Sequence, residues 1–421
     1  MTSSQDWGLA RRIGFRFGVV FGALLIFPFP LNVLPKTETL TELLRQPLGW
    51  ATHWFGEAVL GLPALASESN GSGDRTYDYV QLLLLAILGG IGVAAWSAFD
   101  RRRSHPQLAA AVRVALRYYV GYMMLSYGLS KVFRHQFTDM RPYALRTVLG
   151  DASPMGLLWD FMNYSAPYTI FGGLCEAVAG FLLLWRRTAA VGAVMVVAVM
   201  TNVVMLNFSY DVCVKLFSTR LLVMAALIAL PDVRRLLAAA LGRATPELPP
   251  RVRMPARHER ARRIAKAALL VAMAVRLGLA VDRGRIKDRV HELYGNWVVD
   301  TFTADGVEHP LLTTDPARWQ LMTAHITIVM IRLMPGGSDP PDPDHDYYAW
   351  KVDEASHTMT VTIDAAKKLD ETWHYTHPTP DRLVIDGTHL GRSLHVALHA
   401  APPSLLTTRG FHWINDVPFN R

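Results

Sequence analysis

The sequence predicts an α-helical polytopic membrane bundle of about seven spans, followed by a small antiparallel β-barrel or β-sandwich. Three observations carry this prediction. Hydrophobic residues make up 51% of the 421 residues and are gathered into long runs, which is typical of membrane proteins. The loops between the runs alternate in their Lys and Arg content. From about residue 292 onward, the apolar spacing changes from the helical period to a period of two.

Seven apolar runs are long enough to cross about 30 Å of hydrocarbon as helices. The first follows Arg11 and Arg12 and lacks a small-x-small cleavage site, so we predict a retained span instead of a cleaved signal. The last contains Arg276, which must reach the interface or face protein. The runs cover residues 13–34, 79–98, 114–134, 167–185, 188–209, 213–230 and 264–281.

The charge of the loops predicts the orientation of the chain. Basic residues at 101–103, at 186–187 and between 234 and 266 fall on the same side as the basic N-terminus, whereas the loop at 35–78 is mainly acidic. Because positive loops remain in the cytoplasm, the N-terminus is predicted to be cytoplasmic and the C-terminal domain extracytoplasmic. The net charge of +8 therefore indicates topology, and no nucleic-acid partner is expected.

Two of the loops that this orientation exports are predicted to contain helices. Residues 37–61 have helical spacing with aromatic residues suited to the membrane interface. Ser153 and Pro154 have the residue types of a helix N-cap and first turn. These helices are expected either to cover the bundle or to anchor aromatic side chains among the lipid head groups.

The domain boundary is predicted at residue 285, with a helical domain at 1–285 and a β-rich domain at 286–421. Strand-like segments are separated by turn signals at Ala304-Asp305-Gly306, Asp353–Ser356 and Asp386-Gly387, and about eight short strands indicate a barrel or sandwich. Gly295-Asn296-Trp297 resembles the G-x-W start of the first strand in lipocalin-like barrels, in which the Trp closes one end.

Ionisable side chains inside hydrocarbon are costly, so those in the spans are candidates for function. Lys131 lies in the third run, one turn after Tyr127 on the same helix face. Glu176 lies near the middle of the fourth run and needs a partner, for which Lys131 is the candidate. Small residues that permit close helix contact accompany this glutamate, namely Gly172, Gly173 and Gly180.

The fifth and sixth runs contribute the densest polar cluster at membrane depth. It consists of Asn202, Asn207, Asp211, Lys215 and Arg220. Asp211 and Lys215 are four residues apart and can pair, and Arg220 is expected to point at Glu176, at an Asn or at a bound anion. We expect these groups to line a cavity between the third and sixth spans.

Two interpretations of the polar residues stay open. In the first, they form a satisfied network that only holds the helices together. In the second, they bind a small amphipathic molecule. Lys131 and Glu176 would then be the catalytic residues that handle protons. The remaining candidates would bind the ligand, with Tyr127, Asn202 and Asn207 orienting it and Asp211, Lys215 and Arg220 tuning its charge.

Residues 110–232 resemble the DoxX-like membrane family through the segments GYMMLSYGLSKVF, CEAVAGFLLLWRRTAAVGA and NFSYDVCVKLFSTRLLVMAA. That family includes a subunit of thiosulfate:quinone oxidoreductase and is similar in architecture to the membrane part of vitamin K-dependent carboxylases. The resemblance implies a four-helix core and, more distantly, quinone-linked redox chemistry. The matching positions are Gly128, Lys131, Glu176, Asn202, Asn207, Asp211 and Lys215.

The leading hypothesis is a redox-associated protein of a bacterial inner membrane that binds a quinone or a similar lipid-soluble molecule between spans three and six. Cys175 and Cys213 form no CxxC pair, so a periplasmic redox partner would supply electrons. The alternative is a non-catalytic carrier or assembly factor whose β domain binds lipid or protein cargo.

No metal is expected, because the chain has no zinc-ligand motif. Asp342, Asp344 and Asp346 have a calcium-like spacing but lack the Gly and the Glu of an EF-hand.

Overall fold

The computed structural model describes residues 6–65, 71–245, 256–285, 290–315, 317–334, 347–364, 369–414 and 416. The chain forms two compact units. The first contains residues 1–137 and 153–285, and the second contains residues 138–152 and 286–421. The predicted acidic calcium-like loop lies outside the described residues.

The loop at 138–152 belongs to the second unit, although the sequence suggested that the helical domain would run without interruption to residue 285. Two hydrogen bonds explain this grouping. The Asn296 side chain donates to the carbonyl of Pro142 at 2.7 Å, and the Arg332 side chain donates to the carbonyl of Arg146 at 3.0 Å. Contacts between segments far apart in the chain, which composition does not reveal, therefore set this boundary.

The first unit is helical in its described parts. Among the described residues, six helices are long and apolar enough to cross a membrane, namely α1, α3, α4, α6, α7 and α10. The helices are α1 (Leu9–Ile26), α2 (Glu38–Trp54), α3 (Thr76–Phe99), α4 (Pro106–Val132), α5 (Pro154–Tyr164), α6 (Ala166–Leu183), α7 (Ala189–Ser209), α8 (Lys215–Ala229), α9 (Val233–Ala240) and α10 (Ala256–Arg285).

Helix α8 is the exception to the predicted seven spans. The run at 213–230 loses its first residues to a turn, in which Asp211 has a positive φ of 48°. The helix that remains has 15 residues and rises about 22 Å, less than the thickness of the hydrocarbon. Within the described part of the chain, the helices that qualify by length and composition therefore number six and not seven.

Helices α4 and α6 approach each other backbone to backbone. A Cβ atom added at Gly128 would lie 2.6 Å from the Ala177 nitrogen and the Gly173 carbonyl oxygen, and one added at Gly180 would lie 2.8 Å from the Gly121 oxygen. Only glycine allows so close a contact. The prediction was right for Gly173 and Gly180, but wrong for Gly172, which faces open space.

Arginine side chains of α4 bind the ends of neighbouring helices. Arg113 donates to the carbonyl of Ile228 at 2.9 Å near the end of α8, and Arg117 donates to the carbonyl of Leu183 at 2.9 Å at the end of α6. Cations at these positions satisfy carbonyls that a helix leaves unpaired. Arg276 of α10 pairs with Glu38 at the start of α2, so its position inside an apolar run has a charged partner.

Both predicted interhelical helices are present as α2 and α5. The N-cap of α5 has the expected form, because the Ser153 hydroxyl accepts a hydrogen bond from the Gly156 N–H at 3.0 Å. Pro154 occupies the first turn of the helix, where its missing N–H carries no penalty. The residues that lead into α6 are thereby held in a short helix.

The second unit contains a closed antiparallel β-barrel of eight strands in an up-and-down order. Strands β3 to β9 pair in sequence order, β1 pairs with β3, and pairing of β1 with β9 closes the barrel, while β2 extends the sheet beside β1. The predicted barrel is confirmed. The strands are β1 (Gly295–Ala304), β2 (Val307–Glu308), β3 (Trp319–Ala324), β4 (Ile328–Leu333), β5 (Tyr347–Asp353), β6 (Thr358–Asp364), β7 (Leu369–Thr379), β8 (Arg382–His389) and β9 (Arg392–Ala400). A short helix, α11 (Leu405–Thr408), follows them.

One predicted turn of the barrel is wrong. Asp386-Gly387 lies inside β8, and the turn comes at Leu390-Gly391, both with positive φ. Gly387 is needed in the strand because an added Cβ would lie 2.7 Å from the Trp373 side chain of β7. The glycine makes room for a large neighbour, so it does not mark a chain reversal.

Large side chains fill the described interior of the barrel. Trp319 and Trp373 are buried with ring centroids 5.4 Å apart. Trp297, the aromatic residue of the G-x-W segment, is also buried, and its Nε1 donates to the carbonyl of Leu293 at 2.8 Å. Arg318 is 1% exposed and donates to backbone carbonyls, including that of Asp300 at 3.0 Å. These contacts form a packed core, which an eight-stranded barrel is narrow enough to fill.

Candidate functional site

Lys131 and Glu176 form an ion pair between α4 and α6. The lysine Nζ lies 2.8 Å from both carboxylate oxygens, and the two side chains are only 11% and 5% exposed. The glycine contact between α4 and α6 places the pair, since Gly173 lies against the Lys131 side chain. The partnership predicted from the sequence is therefore present.

Tyr127 connects this ion pair to a cavity. Its ring centroid lies 6.0 Å from the Lys131 Nζ and 5.8 Å from the ring centroid of Phe217 in α8. The side chain is 40% exposed, so one part of the ring faces space that protein does not fill. Tyr127 thus belongs both to the ion-pair region and to the cavity.

The cavity has a volume of about 300 Å³ and lies among α3, α4, α8 and the segment before α3. Its polar side chains differ in charge and donor capacity, which allows it to hold a ligand with a polar head. It is lined by Gly71, Ser72, Gly73, Asp78, Gln81, Tyr127, Val214, Phe217 and Arg220. We call it the Tyr127–Arg220 cavity.

Arg220 supplies a positive charge to this cavity. Its Nε is buried and has no hydrogen-bond partner among the described residues. The carboxylate of Asp78 is already held by Arg75, with a contact of 2.9 Å, and this hydrogen bond raises the pKa of the Arg75 guanidinium. Among the described residues no contact joins Arg220 to Glu176, which was one of the three alternative partners expected for it.

Asp74 is a structural residue of the site that the sequence did not reveal. Its carboxylate accepts hydrogen bonds from the backbone N–H groups of Lys215 at 2.7 Å and Leu216 at 2.9 Å. It therefore caps the N-terminus of α8, and its negative charge interacts favourably with the dipole of that helix. A cap usually comes from the residue just before the helix, whereas this one lies 141 residues away in the chain, so no local signal could identify it.

Lys215 and Asp211 form the predicted local pair at the turn between α7 and α8. The lysine Nζ lies 2.6 Å from the Asp211 carboxylate, whose side chain is 82% exposed. The same Nζ lies 3.8 Å from Asp74. These two residues are not among those that line the Tyr127–Arg220 cavity, so their charges stabilise the turn.

The two asparagines of α7 have different surroundings. Asn207 is buried and donates to the Ser218 hydroxyl of α8 at 3.0 Å, which ties the two helices together. Asn202 is exposed, so the prediction that it joins a common interior pocket is wrong. Asn202 and Asn207 are five residues apart in a helix with 3.6 residues per turn, so their side chains point about 140° apart. Only one of the two can therefore face α8.

The chain is similar to the uncharacterized protein YwoB of Bacillus subtilis (strain 168). The two are 34% identical over 133 residues, which are 31% of this chain and 84% of YwoB. The chain belongs to the family of YwoB. The relation to YwoB covers about a third of the chain, and the name of YwoB describes no activity. No protein-family model matches the chain, and no solved structure matches it.

Proposed function

We propose that this protein is a DoxX-like, redox-associated protein of a bacterial inner membrane that binds a quinone, or a similar lipid-soluble molecule, in the Tyr127–Arg220 cavity. One observation carries the proposal. A guanidinium at membrane depth faces a cavity of about 300 Å³ with a buried Nε that has no described partner. A buried donor without a hydrogen-bond partner is costly, and a ligand oxygen would relieve the cost.

The donors in the cavity suit a ligand with carbonyl oxygens. The Arg220 guanidinium and the Tyr127 hydroxyl can each donate to an oxygen, and a charged donor forms the stronger bond where water is scarce. Phe217 offers an apolar wall beside them. The volume lies at the lower end of ligand pockets, which fits one ring head group with a lipid tail left in the hydrocarbon.

The ion pair would serve proton transfer next to this ligand. Lys131 Nζ lies 6.0 Å from the centroid of the Tyr127 ring, so a proton would pass from the Lys131–Glu176 pair through the tyrosine hydroxyl or a water molecule. Reduction of a quinone to a quinol takes two electrons and two protons, so the pair would pass on two protons in turn and regain each from water. In this proposal a periplasmic redox protein supplies the electrons.

The loop charges support a cytoplasmic N-terminus and an extracytoplasmic β unit, provided that α8 crosses with the others. Two contacts support that crossing. Phe217 near the start of α8 lies against Tyr127, and Ile228 near its end accepts from Arg113. Helix α8 therefore runs antiparallel to α4, and in this proposal it is the seventh crossing, although it is shorter than the six longer apolar helices of the described residues.

The alternative of a lipid carrier finds less support. A carrier barrel needs an open interior, whereas aromatic side chains such as Trp319 and Trp373 occupy the described interior of this one. The bundle, which contains the Tyr127–Arg220 cavity, is the better supported site for a small molecule.

The test is binding of decylubiquinone to the full-length protein in mild detergent, together with mass spectrometry of any quinone that co-purifies. Arg220→Met removes the charged donor, and the loss of such a hydrogen bond weakens affinity by roughly 10- to 100-fold. Asn202→Ala is the matched control, because Asn202 is exposed on α7 away from the cavity. Equal binding by wild type and Arg220→Met, or no binding by wild type, would refute the proposal.

A further inference from the structure

The β-barrel has two ends that differ in their chain connections. The strand register places Gly295 opposite Ala324, and Trp297 opposite Ala400, so the start of β1 and the end of β9 share one end. We call it the Gly295 end. The β1–β2 turn and the β8–β9 turn at Leu390 lie at the opposite end, which we call the Leu390 end.

The chain connections of the second unit reach the Gly295 end. Nine residues lie between Arg285, where α10 ends, and Gly295, and such a tether reaches about 35 Å at most. Nine residues also lie between Val132, where α4 ends, and Pro142, whose carbonyl accepts from Asn296 at this end. Two membrane helices therefore tether this end of the barrel by short segments.

The segment after β9 exposes large apolar side chains. After α11, the chain turns at Gly410, which has a positive φ of 67°. Phe411, Trp413 and Ile414 are then 82%, 87% and 75% exposed. The rings of Phe411 and Trp413 contact each other with centroids 5.9 Å apart. Adjacent exposed apolar residues of this size mark a surface that binds something.

A second segment extends this surface. The Arg146 side chain donates to the carbonyl of Pro402 at 2.6 Å, which holds the 138–152 loop against the segment after β9. Val148 and Leu149 follow this contact by two and three residues and are 62% and 74% exposed. The Arg146 contact thus joins the loop that carries Val148 and Leu149 to Pro402, at the start of the segment that carries the exposed aromatic residues.

We propose that this surface docks the β unit onto the lipid head-group layer of the membrane that holds the bundle. Its composition supports lipid as the occupant, because Trp and Phe with neighbouring aliphatic residues are the types that settle at the boundary between head groups and acyl chains. The two short tethers support it as well. We define the docking surface as Val148, Leu149, Leu405, Leu406, Phe411, Trp413 and Ile414.

The proposal does not depend on the quinone proposal, and it makes a prediction that exposure alone does not. Leu390 at the opposite end is 62% exposed, comparable to Val148. If exposed apolar side chains simply stood in water, Trp413 and Leu390 would behave alike. If the Gly295 end docks on lipid, only Trp413 enters the membrane surface.

The experiment uses the full-length chain in liposomes of phosphatidylcholine and phosphatidylglycerol. Trp413→Cys and, separately, Leu390→Cys are labelled with a nitroxide in a background with Cys175→Ser and Cys213→Ser. Electron paramagnetic resonance measures collisions of the label with oxygen, which concentrates in lipid, and with a water-soluble nickel complex. A severalfold higher oxygen-to-nickel ratio at position 413 than at position 390 is expected.

Two results would overturn the proposal. Equal ratios at the two positions would place the surface in water, and low collision rates with both reagents at position 413 would place it against protein. If the cysteine-free background does not fold, a lipid with a photoreactive head group is used with the wild-type chain. Adducts must then map to residues 405–414, and adducts confined to the segment around Leu390 contradict docking.

Discussion

Removing one partner of the Lys131–Glu176 ion pair should destabilise the bundle far more than removing both. Glu176→Gln leaves the Lys131 ammonium, which is 11% exposed, without its carboxylate. Lys131→Met leaves the Glu176 carboxylate, 5% exposed, without its cation. Each single variant therefore carries an uncompensated charge at membrane depth, whereas the double variant carries none.

The size of the effect follows from the geometry. With Nζ at 2.8 Å from both carboxylate oxygens and little solvent access, loss of one partner is expected to lower the free energy of unfolding by about 3–5 kcal/mol. Replacing both charges by neutral side chains of similar size is often close to neutral. The double variant should lie within about 1 kcal/mol of wild type, which gives a coupling energy of about 5 kcal/mol or more.

The assay is reversible unfolding of the purified protein in mixed micelles of sodium dodecyl sulfate and a mild detergent, followed by helical circular dichroism. Wild type, both single variants and the double variant are compared, with Asn202→Ala as an exposed control on α7. Additive losses, in which the double variant loses the sum of the two singles, would refute the argument. Single variants as stable as wild type would refute it equally.

Three further outcomes are expected. Gly128→Leu should prevent assembly of the bundle, because an added Cβ meets the neighbouring backbone at 2.6 Å. The control Gly172→Leu, at a position facing open space, should elute from a size-exclusion column like wild type. Identical elution profiles for the two variants would contradict the close contact. Arg318→Ala should lower barrel stability by about 3 kcal/mol in thermal unfolding followed by Trp fluorescence, since buried carbonyls lose their donor, and an unchanged melting temperature would argue against this. Burial lowers the pKa of His389 in the folded barrel, so this imidazole binds a proton more tightly in the unfolded chain than in the folded one. The free energy of unfolding therefore has its full value from His389 above about pH 6.5 and decreases as the pH falls below it. His389→Gln should remove that part of the slope, and a slope identical to that of wild type would refute the assignment.

In the barrel, patterns of neighbouring residues predicted the strands and one turn correctly but misplaced another turn. The period of two and the residues Asp305-Gly306 predicted strands and the first turn, because both depend on neighbours in the chain. Gly387 also had the composition of a turn, but it lies in a strand opposite Trp373. Only the pairing of β7 with β8 shows that the glycine accommodates an indole ring, so the correct turn could not be chosen from composition.

In the candidate site, too, some features could be predicted from the sequence and others could not. Burial of Lys131 and Glu176 in apolar runs required a partner for each charge, and few ionisable residues at membrane depth were available, so their pairing could be predicted. The cap that Asp74 provides to α8 and the exposure of Asn202 could not. They depend on which helix faces turn toward each other, and the hydropathy of a run does not specify its rotation.

By itself the sequence determined the apolar helices, the strand period and the need for an internal ion pair. Each of these follows from the cost of placing polar groups in hydrocarbon or from the geometry of neighbouring residues. The tertiary structure decided that the 138–152 loop joins the barrel unit, that Arg220 faces a cavity and that α8 begins only at Lys215. These features arise from contacts between distant segments, whose energies depend on packing and not on the order of residues nearby.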